Sequence, residues 1–114
     1  MTLRIPVVNA ADLPHGATAK FSWEAGGRRR GGFVLNYHGT IRAFVNECAH
    51  IPVSLDWFEN EFFDRECRYL VCPTHGALYE PDTGACVAGP PLGAGLDPLR
   101  VAVEAGEVVV YIER

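Results

Sequence analysis

The chain has 114 residues, 48% of them hydrophobic and 21% charged, with a formal net charge of −4 at pH 7. Such a chain has the size of one domain with a single core, and its balance of residues rules out a disordered or fibrous class. Net negative charge makes neither nucleic acid nor an anionic membrane a natural partner. One domain over residues 1–114 is the expectation.

At the N-terminus, Met1-Thr2-Leu3-Arg4-Ile5-Pro6-Val7-Val8 lacks the basic region, apolar stretch and small-residue cleavage site of a secretory signal. No apolar run approaches the ~20 residues that cross a bilayer. A cytoplasmic protein without a membrane partner is therefore expected, and in that compartment Cys serves as metal ligand or reduced thiol more often than in disulfides.

Short runs of alternating apolar and polar residues, separated by Gly, Pro, Asn and Asp, predict a small antiparallel all-β domain of six to eight short strands. Residues 17–23 and 32–37 read as strands flanking a charged tip with Arg28, Arg29 and Arg30, and His38-Gly39 turns into a strand over 40–47. That tip is either a solvated hairpin end or a feature that steers an acidic partner. Residues 56–64 are the one stretch suited to a helical turn; their Trp57, Phe58, Phe62 and Phe63 suit packing onto the domain. Asp56, Glu59, Glu61 and Asp64 make the same stretch acidic, either a simple solvated loop or one that favours basic partners. Residues 68–72 form the next strand, 77–79 and 86–88 pair across Pro81-Asp82-Thr83-Gly84, and 99–104 pairs with 108–113 around Ala105-Gly106.

Two compact Cys/His pairs stand out at strand ends: Cys48-Ala49-His50 and Cys72-Pro73-Thr74-His75. Each can seize a metal atom from one loop. The four side chains suit either one tetrahedral zinc or a two-iron, two-sulfide cluster with both Cys on one iron and both His on the other. Cys67 and Cys86 read as free, buried thiols.

The residues after each pair bear on that choice. His75-Gly76-Ala77-Leu78-Tyr79 runs into Glu80-Pro81-Asp82-Thr83-Gly84, and Gly89-Pro90-Pro91 follows. With these motifs the chain resembles a Rieske-type [2Fe-2S] ferredoxin over roughly residues 44–92. The segment between the pairs is longer than is usual in that family, so its conformation is not carried over.

The resemblance implies a Rieske (ISP-like) domain of short stacked antiparallel sheets, with one cluster per chain held at the tip by two ligand loops. Cys48, His50, Cys72 and His75 become the metal ligands, with Gly76, Tyr79 and Pro90 completing the cofactor-binding set. With two thiolates and two neutral imidazoles the oxidised site carries no net formal charge, whereas four thiolates leave it negative; His ligation therefore raises the potential. Family members of high potential add a Ser donor and a disulfide between the loops. Here those positions are Ala77, Val53 and Thr74, which aligns the chain with the low-potential ferredoxins of oxygenase systems. The resemblance also puts the His ligands, and so the electron exit, at the surface end of the cluster. The implied role is a one-electron carrier between a reductase and a terminal oxygenase or similar redox enzyme, not an enzyme with a small-molecule substrate. Only His15 and His38 stay unassigned. A structural zinc-binding interaction module, and a Rieske redox subunit or sensor of a larger enzyme, stand beside that reading.

Overall fold

Alternating side chains make strands of most of the chain, and the longest strands form where both faces find apolar cover. A computed structural model describes residues 2–47, 62–64, 68–72, 76–89 and 95–113. Among them the strands are β1 (Thr2–Asn9), β2 (Thr18–Ala25), β3 (Arg28–Tyr37), β4 (Thr40–Val45), β5 (Leu70–Cys72), β6 (Ala77–Tyr79), β7 (Cys86–Ala88), β8 (Pro98–Glu104) and β9 (Glu107–Glu113), with one 3-10 turn at Ala10–Asp12. Six strands form a sheet in the order β1-β9-β8-β4-β3-β2, and three form a second sheet in the order β5-β6-β7. Every pairing is antiparallel. The edge strands β1 and β2 also contact each other, so the large sheet curls on itself.

The all-β antiparallel class agrees with the sequence reading, while three local expectations change. Nine strands replace six to eight among the described residues. The additional strand is β1, whose alternation is interrupted by Pro6 and by a register shift between Pro6 and Val8. Proline is tolerated there because β1 is an edge strand. The arginines Arg28 to Arg30 lie inside β3, paired with Ala25, Glu24 and Trp23, so that the hairpin tip shrinks to Gly26-Gly27. A two-residue turn with positive φ at both positions matches the twist of the strands and lets the ladder run to the tip; φ is 57° and 77°. Of the stretch read as a helical turn, residues 56–61 lie outside the described residues. Phe62 to Asp64 are extended instead: Phe63 bridges Leu70, Val71 N–H donates to the Phe62 carbonyl at 2.9 Å, and Asp64 N–H donates to the Tyr69 carbonyl at 2.9 Å. Asp64 Oδ1 accepts the Arg68 N–H at 2.9 Å, so this carboxylate shapes the turn into β5.

The two faces of the central strands explain the apolar run Phe33-Val34-Leu35. Successive side chains point to opposite faces, so Val34, with Ala43 and Val45 of β4, joins Leu13, Trp23 and Val110 in one core. Phe33, Leu35 and Phe44 face the other way, into a core shared with the small sheet. Between the sheets Phe33 stacks on Phe62 with ring centroids 4.0 Å apart. Far from that layer, Arg4 of β1 reaches Glu104 of β8 at 3.1 Å, and the Tyr111 hydroxyl of β9 donates to the same carboxylate. The Tyr111 bond first, and the Arg4 bond second, hold the Glu104 carboxyl below its ordinary range. No described helix is long and apolar enough to cross a membrane.

Candidate metal centre

Cys72 is the last residue of β5 and is wholly buried, in the same apolar cluster as Phe44 of β4 and Ala77 of β6. Its backbone pairs with Ala77, and Gly76 N–H donates to the Cys72 carbonyl at 2.9 Å, so the end of β5 and the start of β6 are held together. Gly76 takes φ 66°, a left-handed conformation that glycine adopts at little cost. The chain therefore presents a buried thiol at the base of a short loop that contains His75 by sequence. That thiol shares its cluster with Tyr79, Leu70 and the aromatic layer of Phe33, Phe44 and Phe62.

The other candidate loop starts where β4 leaves the sheet. Val45 N–H donates to the Asp97 carbonyl and Asn46 N–H to the Gly31 carbonyl, each at 2.9 Å, so both neighbouring strands fix the departure point three residues before Cys48. Phe44 sits just before it, packed over Gly84 of the β6–β7 turn. Arg42 reinforces that junction through a 3.0 Å ion pair with Asp82. The ends of β4 and β5 thus meet over one buried layer, although 48–61 of the connecting chain lie outside the described residues.

A third segment approaches from β7. Gly89 has φ 99°, and a Cβ there would stand 2.8 Å from the Ala77 Cα, closer than real carbons come. Only glycine lets the strand end lie against Ala77. On the far side of residues 90–94, Ala85 bridges Gly95, and Leu96 N–H donates to the Gly84 carbonyl at 2.8 Å. Both ends of the Pro90-Pro91 segment are therefore tied to the β6–β7 hairpin that carries Ala77.

Of the sequence-derived site residues, the structure describes Cys72, Gly76 and Tyr79 and brings them onto one hairpin. Cys48, His50, His75 and Pro90 lie outside the described residues, as do Cys67, Trp57, Phe58, Val53 and Thr74. Among the described residues no three His, Cys, Asp or Glu gather as a metal site. Cys86 carries a free thiol, as expected, and its Sγ approaches the Ala88 carbonyl at 3.2 Å. Phe62 and Phe63 pack onto the small sheet's core, the role expected of the aromatic stretch. One contact was not foreseen in the sequence: Arg30, read as part of a solvated tip, is half-buried beside Trp23 and Glu47. Its signal was the strand register, which only the length of the β2–β3 ladder reveals.

The donor chemistry fits an iron-sulfur group: Cys72 can supply a thiolate, the form of cysteine that ligates metal, and Gly76 and Gly89 bring no side chains to the backbone beside Ala77. Comparisons agree. The model of the Rieske [2Fe-2S] domain matches residues 4–111. A ferredoxin of carbazole 1,9a-dioxygenase from Nocardioides aromaticivorans IC177 superposes with a TM-score of 0.69 at 23% identity, covering 94% of this chain and 95% of that one. The Sphingomonas yanoikuyae B1 ferredoxin gives 0.68 at 19% identity, covering 97% of this chain and 100% of that one. The terminal oxygenase of carbazole 1,9a-dioxygenase from Novosphingobium sp. KA1 gives 0.72 at 20% identity, with 97% of this chain spanning 30% of that one. At these identities the likeness is one of fold.

Proposed function

This chain belongs to the Rieske [2Fe-2S] domain family, and from that membership we propose that it is a one-electron carrier that takes an electron from a reductase and delivers it to a terminal oxygenase or similar redox enzyme. The observation that carries the reading is a family match over residues 4–111, and it is supported by a wholly buried Cys72 whose carbonyl accepts the Gly76 N–H. The choice of partners is supported by the similar fold of ferredoxins, one of them a ferredoxin of carbazole 1,9a-dioxygenase.

We assign one [2Fe-2S] cluster per chain to Cys48, His50, Cys72 and His75. When bound, the cluster supplies one-electron chemistry at a potential raised by imidazole ligation. The chain supplies the rest. Cys72 contributes a thiolate from a strand end braced by the Phe33, Phe44 and Phe62 layer, so its position varies little. Ala77, packed against Gly89, offers no hydroxyl toward that side, which keeps the potential at the low end of the Rieske range. Tyr79, wholly buried on the same hairpin, is the candidate hydrogen-bond donor toward a ligand sulfur. To Pro90 and Pro91 we assign the family's role of a stiff covering loop. His50 and His75 form the outlet for the electron.

Purification under anaerobic, iron-replete conditions tests this. The expected protein is reddish-brown, with about two iron and two labile sulfides per chain, and restores oxygenase turnover when added to a reductase and a Rieske terminal oxygenase. Stoichiometric zinc without iron, in colourless protein, would overturn the reading.

A further inference from the structure

The β3–β4 register ends at Val45, one further bond from Asn46 N–H to the Gly31 carbonyl ties the chain to β3, and Asn46 and Glu47 carry it to Cys48. The hairpin of β2 and β3 overhangs that point. Gly32 pairs with Val45, so Arg28 to Gly31 continue past the end of β4 alongside the departing chain. Within the overhang, the Arg30 guanidinium lies over the Trp23 ring, 5.7 Å from its centroid. Trp23 is itself fixed, 6% exposed and stacked on Phe21 at 5.6 Å. From that seat Arg30 Nη2 reaches Glu47 Oε1 at 3.4 Å, with both side chains 37% exposed.

We infer that Arg30 is a positioning residue for the first ligand pair: seated over Trp23 and paired with Glu47, it steadies the two residues that lead to Cys48 and balances the carboxylate that precedes Cys48 in the chain. The assignment rests on the carrier reading. A planar guanidinium suits both tasks at once, stacking its face on the indole while its edge donates to a carboxylate. Glu47 also bonds backward, its N–H donating to the Val45 carbonyl at 2.9 Å, so a fixed carboxylate fixes the turn just before the ligand. The electrostatic role follows from adjacency in the chain. A carboxylate one peptide bond from a ligand opposes the addition of an electron, and a cation paired with it offsets that opposition.

The test compares Arg30→Gln, Arg30→Lys and the double variant Arg30→Gln/Glu47→Gln with wild type, each confirmed as folded by circular dichroism. Two quantities are read on the metal-loaded protein: the rate of metal release to a chelator, and the reduction potential. Arg30→Gln should release metal roughly threefold faster, the scale that a partly exposed ion pair supplies, and its potential should fall because Glu47 is left unbalanced. Arg30→Lys keeps the charge but not the plane, so it should regain the potential and not the retention. The double variant should likewise recover the potential alone. Wild-type release and potential in Arg30→Gln would overturn the inference, and faster release with an unmoved potential would overturn its electrostatic half. If wild-type protein carries zinc, the carrier reading fails, while zinc release from Arg30→Gln still decides the steadying role: faster supports it, unchanged overturns it.

Discussion

β3 of the large sheet runs ten residues and is paired along both edges, whereas each strand of the small sheet has three. The large sheet therefore carries most of the ladder hydrogen bonds and a core of its own around Trp23, Val34 and Val110. The small sheet could not stand alone, because three short strands form too few backbone bonds to offset their ordering. What holds it is the aromatic layer beneath and, in our reading, the metal at its open end. The contrast separates a scaffold with a core of its own from a small sheet that leans on its neighbour's packing.

Replacing the proposed ligand should break the two regions apart. Cys72→Ser is expected to abolish cluster binding and to speed amide hydrogen exchange in β5 to β7, while β8 and β9 keep their protection. Uniform acceleration across both sheets would show that they form one cooperative unit. Cys86→Ser, by contrast, should keep the cluster, since the Ala88 carbonyl near its Sγ can accept a Ser hydroxyl as well.

Phe62→Ala removes a fully buried ring stacked on Phe33 and should cost about 3 kcal/mol or more in chemical denaturation. The comparison sharpens if that variant also loses cluster faster than it loses the near-ultraviolet signal of Trp23.

At Gly89 the effect is smaller and local. Gly89→Ala places a carbon against the Ala77 backbone at a φ of 99° and should cost about 1–3 kcal/mol of strain. The expected readout is a lowered thermal midpoint of the loaded protein and quicker bleaching of its visible spectrum; an unchanged bleaching rate would disconnect the Pro90-Pro91 segment from cluster retention.

Smallest is the change at the far edge of the large sheet. Glu104, half-buried and bonded by Tyr111 and Arg4, has its carboxyl lowered in the fold. A lowered folded-state value contributes stability above the ordinary carboxylate value of 4.5, and that contribution is lost as pH falls through the lowered value. Glu104→Gln should thus melt slightly below wild type at neutral pH, and the gap should close on acidification below 4.5. A gap that widens in acid would mean that the bond does not act through the ionised carboxylate.

Much of the scaffold was legible because its signals are local. Short apolar runs rich in β-branched and aromatic residues at 32–37 and 108–113, the Ala105-Gly106 turn and the Pro81 to Gly84 turn each specify a strand or hairpin from a few neighbouring residues. β1 escaped because Pro6 and the bulge beside it hide the alternation, and because its partner β9 lies a whole chain length away. The aromatic stretch announced packing but not its geometry: a helical turn and an added extended segment bury Phe62 equally well until Leu70 supplies an edge to pair with.

By itself the sequence determined the all-β class, the place of Cys72 at the end of a strand, the free thiol of Cys86 and the candidate donor set, since a Cys-x-His or Cys-x-x-His pair brings its chemistry to one loop whatever the fold. Only the tertiary structure decided which core face each of Phe33 and Val34 serves, why Gly89 must be glycine, and that Arg30 leaves the solvated tip for a seat on Trp23 beside Glu47. Those facts depend on strand register and sheet order, contacts between residues distant in the chain, and no local pattern of side chains encodes them.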